Sequence, residues 1–197
     1  MNSIQLRSVE GLALLFVLWC SSALSQVVRE PLLSGGAYTN TRLAFHYTPP
    51  SGMRDKTGRF PALQIQNPSR ASGTPQTLAT LLAMSSGPDS SVPDWCSVTI
   101  VTYPRTAVST PDDTKAAGQM NAWVAHSEDT SVLPRSKAIS GQRFTVSVFG
   151  RQEGTVKKGA VVWTTVRKGK LLSFAFVANS PEQLETLAGS MKSVEFF

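Results

Sequence analysis

The sequence contains few of the residues that form crosslinks and metal centres. Its 197 residues include 2 cysteines, Cys20 and Cys96, and 2 histidines. Removal of an amino-terminal segment would leave Cys96 alone, which excludes an internal disulfide. Two histidines exclude a three-histidine zinc site, and the signatures of zinc proteases, EF-hands, serine hydrolases, P-loops and dinucleotide-binding proteins do not occur. The sequence therefore predicts no cofactor and no metal.

The remaining cysteine and the two histidines each have a structural interpretation. Cys96 opens a β-branched run, as expected of a small thiol buried at the start of a strand. A catalytic dyad of Cys96 with His46 or His126 is the alternative. His46 alternates with apolar residues and is predicted to be half-buried in a strand, and His126 follows a predicted helix, where a cationic imidazole is favourable.

Long apolar runs are also lacking. A bilayer span needs about 20 apolar residues, whereas the amino-terminal run is confined to Gly11–Trp19. Ala23-Leu24-Ser25 then has the small-x-small pattern of a signal-peptidase site, which predicts cleavage before Gln26. A lipoprotein acylated at Cys20 is the alternative, although the large Trp19 precedes that cysteine. We therefore predict a signal peptide at residues 1–25, export to the periplasm or the extracellular space, and no transmembrane span after cleavage.

Positive charge is concentrated in one stretch. The chain has a formal net charge of +6, of which +5 falls within residues 151–170. The cations there are Arg151, Lys157, Lys158, Arg167, Lys168 and Lys170. In a meander of consecutive strands they would form two basic turns at opposite ends of a sheet. Such turns either solubilise the protein or contact an anionic envelope component or an acidic protein partner. Aromatic residues that would stack on bases are absent from the turns, so no nucleic acid is expected.

Hydrophobic periodicity predicts one folded domain. Residues 26–40 have no period and are predicted to be a flexible segment, followed by a single α+β domain at residues 41–197. One helix is predicted to begin with Thr110 as its cap, and another with Ser180 as its cap and Gln183 as a capping-box partner. The candidate strands are Arg42–Thr48, Thr80–Ser85, Ser97–Tyr103, Phe144–Phe149, Ala160–Arg167 and Leu171–Ala178, with a final edge at residues 194–197.

Helices that cover a mostly antiparallel sheet of five to six strands make an α+β sandwich. The closing pattern is a hairpin through Arg167-Lys168-Gly169-Lys170, then Ser180-Pro181-Glu182-Gln183-Leu184, and finally residues 191–196. This pattern resembles the terminal segment of PsbP-like proteins, and the opening strand at residues 43–49 is similar to theirs. The resemblance implies a PsbP-like α/β sandwich and, because family members are mostly extrinsic or accessory proteins, a role without catalysis.

The sequence thus predicts an exported, non-catalytic binding or accessory protein of the cell envelope. Two alternatives stay open. One is a hydrolase-type enzyme whose site is assembled from the loops at residues 50–77 and 87–95, since such sites form only in the folded protein. The other is a structural protein that binds an envelope polyanion through the six cations of residues 151–170.

Overall fold

The computed structural model describes residues 36–59, 63–65, 76–88, 90–107, 110, 112–125, 133–153 and 156–197. Within these ranges the side chains of 63–65, 76, 77, 107, 151–153, 156 and 157 are not described. The predicted signal peptide, most of the predicted flexible segment, much of the loop at residues 50–77 and His126 lie outside the described residues.

The described residues form short strands at the start and long strands with two α-helices thereafter. The first strands are β1 (Tyr38–Asn40), β2 (Phe45–Tyr47), β3 (Arg54–Asp55), β4 (Leu63–Ile65), β5 (Gln76–Ser85) and β6 (Cys96–Pro104). The later elements are α1 (Asp113–Val124), β7 (Arg135–Ile139), β8 (Gln142–Glu153), β9 (Val156–Arg167), β10 (Lys170–Ala178), α2 (Pro181–Gly189) and β11 (Glu195–Phe196). Short 3₁₀ turns lie at Thr57–Arg59, Arg105–Ala107 and Ser190–Ser193.

The main sheet has eight antiparallel strands within the described residues. Its order is β3-β5-β6-β10-β9-β8-β7, with β4 also paired to β5. The centre is the continuous meander β8, β9, β10, in which Gly150 lies opposite Gly159 and Arg167 opposite Lys170. A second sheet of order β1-β2-β11 packs against one face. The prediction of an α+β fold with a mostly antiparallel sheet is therefore confirmed.

The face of the main sheet beneath the second sheet is aromatic. Phe45 and Tyr47 of β2 meet Phe174 of β10 and Phe144 of β8, and all four side chains are fully buried. The Phe174 ring lies edge-on to Phe45 and Phe144, with centroid distances of 5.5 and 6.2 Å. Each such side chain stabilises the fold by about 1.5 to 3 kcal/mol through burial alone. The same burial raises the pKa of Tyr47, whose hydroxyl lies 2.8 Å from Ser190 Oγ.

The opposite face is covered by α1 and contains two further clusters of buried apolar side chains. Ala116 and Met120 are buried there, as the helical period predicts. Asn121 is also fully buried, and its Nδ2 donates to the Thr145 carbonyl at 3.2 Å and to Ser147 Oγ at 2.8 Å. Sequence periodicity did not identify Asn121, because an amide in a helix is interpreted as a surface residue unless its partners are known.

The start of α2 is as predicted in part. Ser180 is the N-cap, its Oγ accepts from the Gln183 amide at 3.2 Å, and Pro181 occupies the first turn. The Gln183 side chain does not complete a capping box; instead its Nε2 donates to the Asp94 carbonyl at 2.9 Å. Neither this helix nor any other in the described ranges combines the length and apolarity needed to cross a bilayer.

The start of α1 corrects the prediction that Thr110 is the cap. The N-cap is Asp112, whose carboxylate accepts from the amides of Thr114 at 2.8 Å and Lys115 at 3.1 Å. The Lys115 amide above all, with the Thr114 amide and the charges of Lys115 and Arg105, holds the pKa of Asp112 below its ordinary value. Thr110 instead accepts from the Asp112 amide at 3.2 Å. Both residues suit a cap, but the carboxylate serves two amides at once.

The main sheet has eight strands in the described residues, more than the five to six that the sequence predicts. β1 lies within the segment predicted to be flexible, so the ordered fold begins before residue 41. β3 and β4 lie within the predicted loop at residues 50–77, and β7 was not predicted. These strands have only 2 to 5 residues, which is too short for an alternating pattern to be visible. Their pairing partners determine them instead: β1 pairs with β2, β3 and β4 pair with β5, and β7 pairs with β8 directly after it.

Candidate functional site

The two basic turns of the meander lie at opposite ends of the main sheet, as predicted. β9 is 12 residues long, which corresponds to roughly 40 Å at the usual rise of a strand. Lys168 and Gly169 join β9 to β10 with φ values of 48° and 71°, as a two-residue hairpin turn requires. We call this the Lys168 end and the other the Gly159 end, after the last paired residue of β9 opposite β10.

At the Lys168 end, Arg167 binds the backbone of the second sheet. Its Nε donates to the Leu43 carbonyl at 3.1 Å, and its Nη2 donates to the backbone oxygens of Phe197 at 3.0 Å and Ala44 at 3.4 Å. The guanidinium carbon also lies 5.0 Å from the centroid of the Phe196 ring. Arg167, predicted as a contact for a polyanion, is therefore a positioning residue that joins the second sheet to β9.

Three other cations surround Arg167. Arg42 precedes one of its carbonyl partners and is exposed, Lys168 follows it in the turn and is exposed, and Lys170 lies opposite it in the strand register and is half-buried. We call Arg42, Lys168 and Lys170 the basic corner. The six cations predicted from the sequence did not include Arg42, because it is more than a hundred residues away in the chain and only the contacts of Arg167 bring it to this end.

No side-chain carboxylate of the described residues forms an ion pair with Arg42, Lys168 or Lys170. The ion pair recorded in the described ranges joins Arg105 Nε and Asp113 Oδ1 at 2.7 Å. Arg105 follows β6 at the same end, and its amide donates to the Gly169 carbonyl at 3.1 Å. The corner therefore presents net positive charge on a hairpin turn that the adjacent backbone holds in place.

At the Gly159 end the basic side chain described is buried. Lys158 is only 8% exposed, and its Nζ lies 5.0 Å from the centroid of the Trp95 ring. Alternation along β9 places Lys158 on the same face as the buried Ala160 and Val162. Lys158, predicted as a contact for a polyanion, is therefore part of the interior of the protein. The side chains of Arg151 and Lys157 lie outside the described residues.

A groove of about 260 Å³ lies near the Gly159 end, between α2 and the start of β6. Its lining residues are Pro50, Cys96, Glu182, Gln183, Thr186 and Leu187. Cys96 is an unbridged thiol and is half-buried, rather than fully buried as predicted. The reason is that β6 begins at Cys96 itself, at the edge of the groove. The ionisable groups in the lining are thus one thiol and one carboxylate.

Several backbone carbonyls of the loop at residues 87–95 accept hydrogen bonds from the rest of the fold. Asn179 Nδ2 donates to the carbonyls of Ser90 at 3.0 Å and Val92 at 2.6 Å. Gln183 Nε2 donates to the Asp94 carbonyl, as described above. These contacts connect the loop to the junction of β10 and α2, so its backbone oxygens serve the architecture of the protein.

His46 is half-buried, as predicted. Its Nδ1 lies 2.8 Å from Thr39 Oγ1, and its ring is 4.6 Å from the ring of Phe197. His46 therefore lies beside an aromatic ring and a hydroxyl group. In the ranges that the structure covers, no three His, Cys, Asp or Glu residues come close enough together to hold a metal ion.

Comparisons with known proteins concern the fold alone. Neither a protein-family model nor a curated protein matches the chain. The solution structure of cyanobacterial PsbP (CyanoP) from Synechocystis sp. PCC 6803 is 14% identical, with a TM-score of 0.48 over 82% of this chain and 91% of that chain. A crystal structure from Bacteroides thetaiotaomicron VPI-5482 at 1.50 Å resolution is 13% identical, with a TM-score of 0.38 over 78% of this chain, which spans 45% of that protein.

Proposed function

We propose that the protein is an exported, non-catalytic binding or accessory protein of the cell envelope, and that it attaches to an anionic component through the basic corner. The observation that carries this proposal is the exposure of Arg42 and Lys168 beside Lys170, without a carboxylate partner in the described residues. Lys158, in contrast, contributes to internal packing. One end of the sheet is therefore the better contact surface.

The physical chemistry of the corner favours weak and reversible attachment. A cation near an anionic surface contributes about 1 kcal/mol, and salt screens the attraction over about 8 Å at physiological ionic strength. A hairpin turn and the neighbouring loop hold the backbone of the three cations, so binding costs mainly the conformational freedom of their side chains. Binding is expected at low salt and should weaken steeply as salt is added.

The other parts of the proposal come from the sequence. Export follows from the apolar run before Ala23-Leu24-Ser25. The non-catalytic role and the PsbP-like form of the sandwich are what the resemblance of the closing hairpin, helix and edge strand to PsbP-like proteins implies. Export is tested by expressing the full-length chain and measuring the intact mass of the secreted protein. A new amino terminus within about two residues of Gln26 is expected, and a mass that retains residues 1–20 or an acylated Cys20 would contradict export by this route.

Attachment is tested by the salt concentration that elutes the protein from immobilised polyphosphate. The corner variant Arg42→Gln/Lys168→Asn/Lys170→Gln should elute at much lower salt than the wild type. Asn is chosen at residue 168 because it tolerates the positive φ of that position. The matched control, Arg54→Gln/Lys56→Gln/Arg59→Gln, removes the same charge near β3 and should elute close to the wild type. Equal losses in the two variants would show that net charge, rather than the corner, governs binding.

A further inference from the structure

An exposed aromatic ring lies next to the basic corner. Phe197 is 57% exposed, one of the few large apolar side chains of the described chain that face solvent to this extent. Its amide donates to the Ala44 carbonyl at 3.1 Å, and its backbone oxygen accepts from Arg167 at 3.0 Å. One side of the ring rests against His46, with 4.6 Å between ring centroids. The ring is therefore held in a fixed position rather than at the end of a loose segment.

The contacts of one guanidinium place this ring and the cations together. Arg167 binds the backbone oxygens of Leu43, Ala44 and Phe197. Arg42 precedes the first of these partners and Lys168 follows Arg167 itself. The cations of the corner and the exposed ring are thus carried by neighbouring segments at the Lys168 end, although they come from three distant parts of the chain.

A charged polymer and a bilayer differ in what they offer such a surface. Both supply negative charge to lysine and arginine. Only a bilayer also supplies an apolar layer directly beneath its headgroups, where aromatic and other apolar side chains of peripheral proteins become buried. Long basic side chains can keep their charge at the headgroups while their stems lie lower.

We propose that the basic corner and Phe197 form a docking surface for an anionic lipid bilayer. Arg42, Lys168 and Lys170 contact the headgroups, and the Phe197 ring enters the boundary between headgroups and acyl chains. This inference rests on the proposed attachment through the basic corner and adds the class of partner. The contact is peripheral and reversible, because it combines a single ring with a few cations.

The test measures partition onto vesicles of phosphatidylcholine with and without phosphatidylglycerol, at low and at physiological salt. Binding should require phosphatidylglycerol. The corner variant Arg42→Gln/Lys168→Asn/Lys170→Gln should bind roughly 100-fold less, since each charge near the surface is worth about a factor of five. The control Arg54→Gln/Lys56→Gln/Arg59→Gln should retain most of the binding.

Substitutions of Phe197 distinguish a lipid bilayer from a charged polymer as the partner. Phe197→Ser should weaken vesicle partition several-fold and leave elution from polyphosphate unchanged. Phe197→Trp should bind vesicles at least as strongly as the wild type, because Trp favours the membrane interface. Both variants should keep the folded circular dichroism spectrum, since the ring is largely exposed.

The outcomes distinguish the inference from the function on which it rests. Binding to polyphosphate without binding to phosphatidylglycerol vesicles would overturn the lipid assignment and retain the proposed function. Vesicle binding that is indifferent to both Phe197 variants would overturn the role of the ring, and with it the argument for a bilayer. The absence of binding to either material at low salt would overturn both proposals.

Discussion

At the Gly159 end of β9, the Lys158 side chain is buried with its ammonium over the Trp95 ring, whereas at the other end Lys168 stands exposed in a turn. The two lysines come from the same basic stretch of sequence and differ in their place within the strand. Lys158 occupies an inward-facing position of β9, and Lys168 lies beyond its end. Strand register, rather than charge density along the chain, therefore decides which cations reach a partner.

The Lys168 end also contains a cation with a structural role. Arg167 donates to carbonyls of the second sheet, and its neighbours Lys168 and Lys170 do not share that role. Each end thus has one cation that stabilises the fold. What distinguishes the Lys168 end is that exposed cations lie beside the structural one.

The largest expected effect is the loss of the Arg167 contacts. Arg167→Ala should lower the free energy of unfolding by about 2 to 4 kcal/mol, because hydrogen bonds from a charged donor to three backbone oxygens are lost and those oxygens become less well satisfied. Urea unfolding measures the change. Arg143→Ala, an exposed arginine near the same end, is the control and should stay within about 0.5 kcal/mol of the wild type. A similar small effect at Arg167 would contradict its structural role.

The next largest expected effect is a loss of stability at the Gly159 end, caused by close packing rather than by charge. A Cβ at Gly159 would lie 2.6 Å from Leu184 Cδ2, so the buried Leu184 side chain would have to move away from β9. Gly159→Ala should therefore cost about 1 to 3 kcal/mol. Gly150 is its cross-strand partner, and a Cβ there meets no atom within 4 Å. Gly150→Ala should be neutral or slightly stabilising in the same urea titration, and equal costs for the two changes would contradict the close approach of α2.

The lysines of the two ends should differ in stability as well as in binding. Lys158→Gln should cost about 1 to 2 kcal/mol through loss of the contact with Trp95 in a site shielded from water. Lys168→Asn should change stability by less than about 0.5 kcal/mol, since Asn-Gly suits this turn. Thermal unfolding of the two variants side by side gives the comparison. If Lys158→Gln were as neutral as Lys168→Asn, the two ends would be equivalent after all.

The smallest expected effect concerns Cys96. Because the thiol is half-buried at the edge of the groove, Cys96→Ser should cost about 1 kcal/mol, the lower limit for burial of a poorly satisfied hydroxyl. Native thiol labelling should be slower than labelling in urea. Labelling at the unfolded rate, with no change in stability, would show that Cys96 does not pack at this end.

Local features of the fold could be predicted from the sequence. Ser180 and Pro181 mark the start of α2 because the cap and the first turn lie within four residues. Lys168-Gly169 marks the hairpin because both flanking runs are long and strand-like. In both cases the residues that determine the local structure are close together in the sequence.

Features that depend on distant pairing could not be predicted. The role of Arg167 depends on Leu43 and Phe197, which no local pattern connects to it. The burial of Lys158 depends on Trp95, which lies before another strand. For the same reason, the sequence alone did not identify Arg42 as part of the basic corner. It also did not distinguish the exposed Lys168 from the buried Lys158.

Lysine acetylation of the wild-type protein, followed by mass spectrometry, tests most directly the claim that the contact surface is confined to the Lys168 end. In the free protein Lys168 should react quickly and Lys158 slowly. Adding phosphatidylglycerol vesicles at low salt should protect Lys168 and Lys170, leave Lys56 as reactive as before, and lose its effect when salt is raised. Equal reactivity of Lys158 and Lys168, or protection of Lys56 to the same degree as Lys168, would contradict a contact surface confined to one end of the sheet.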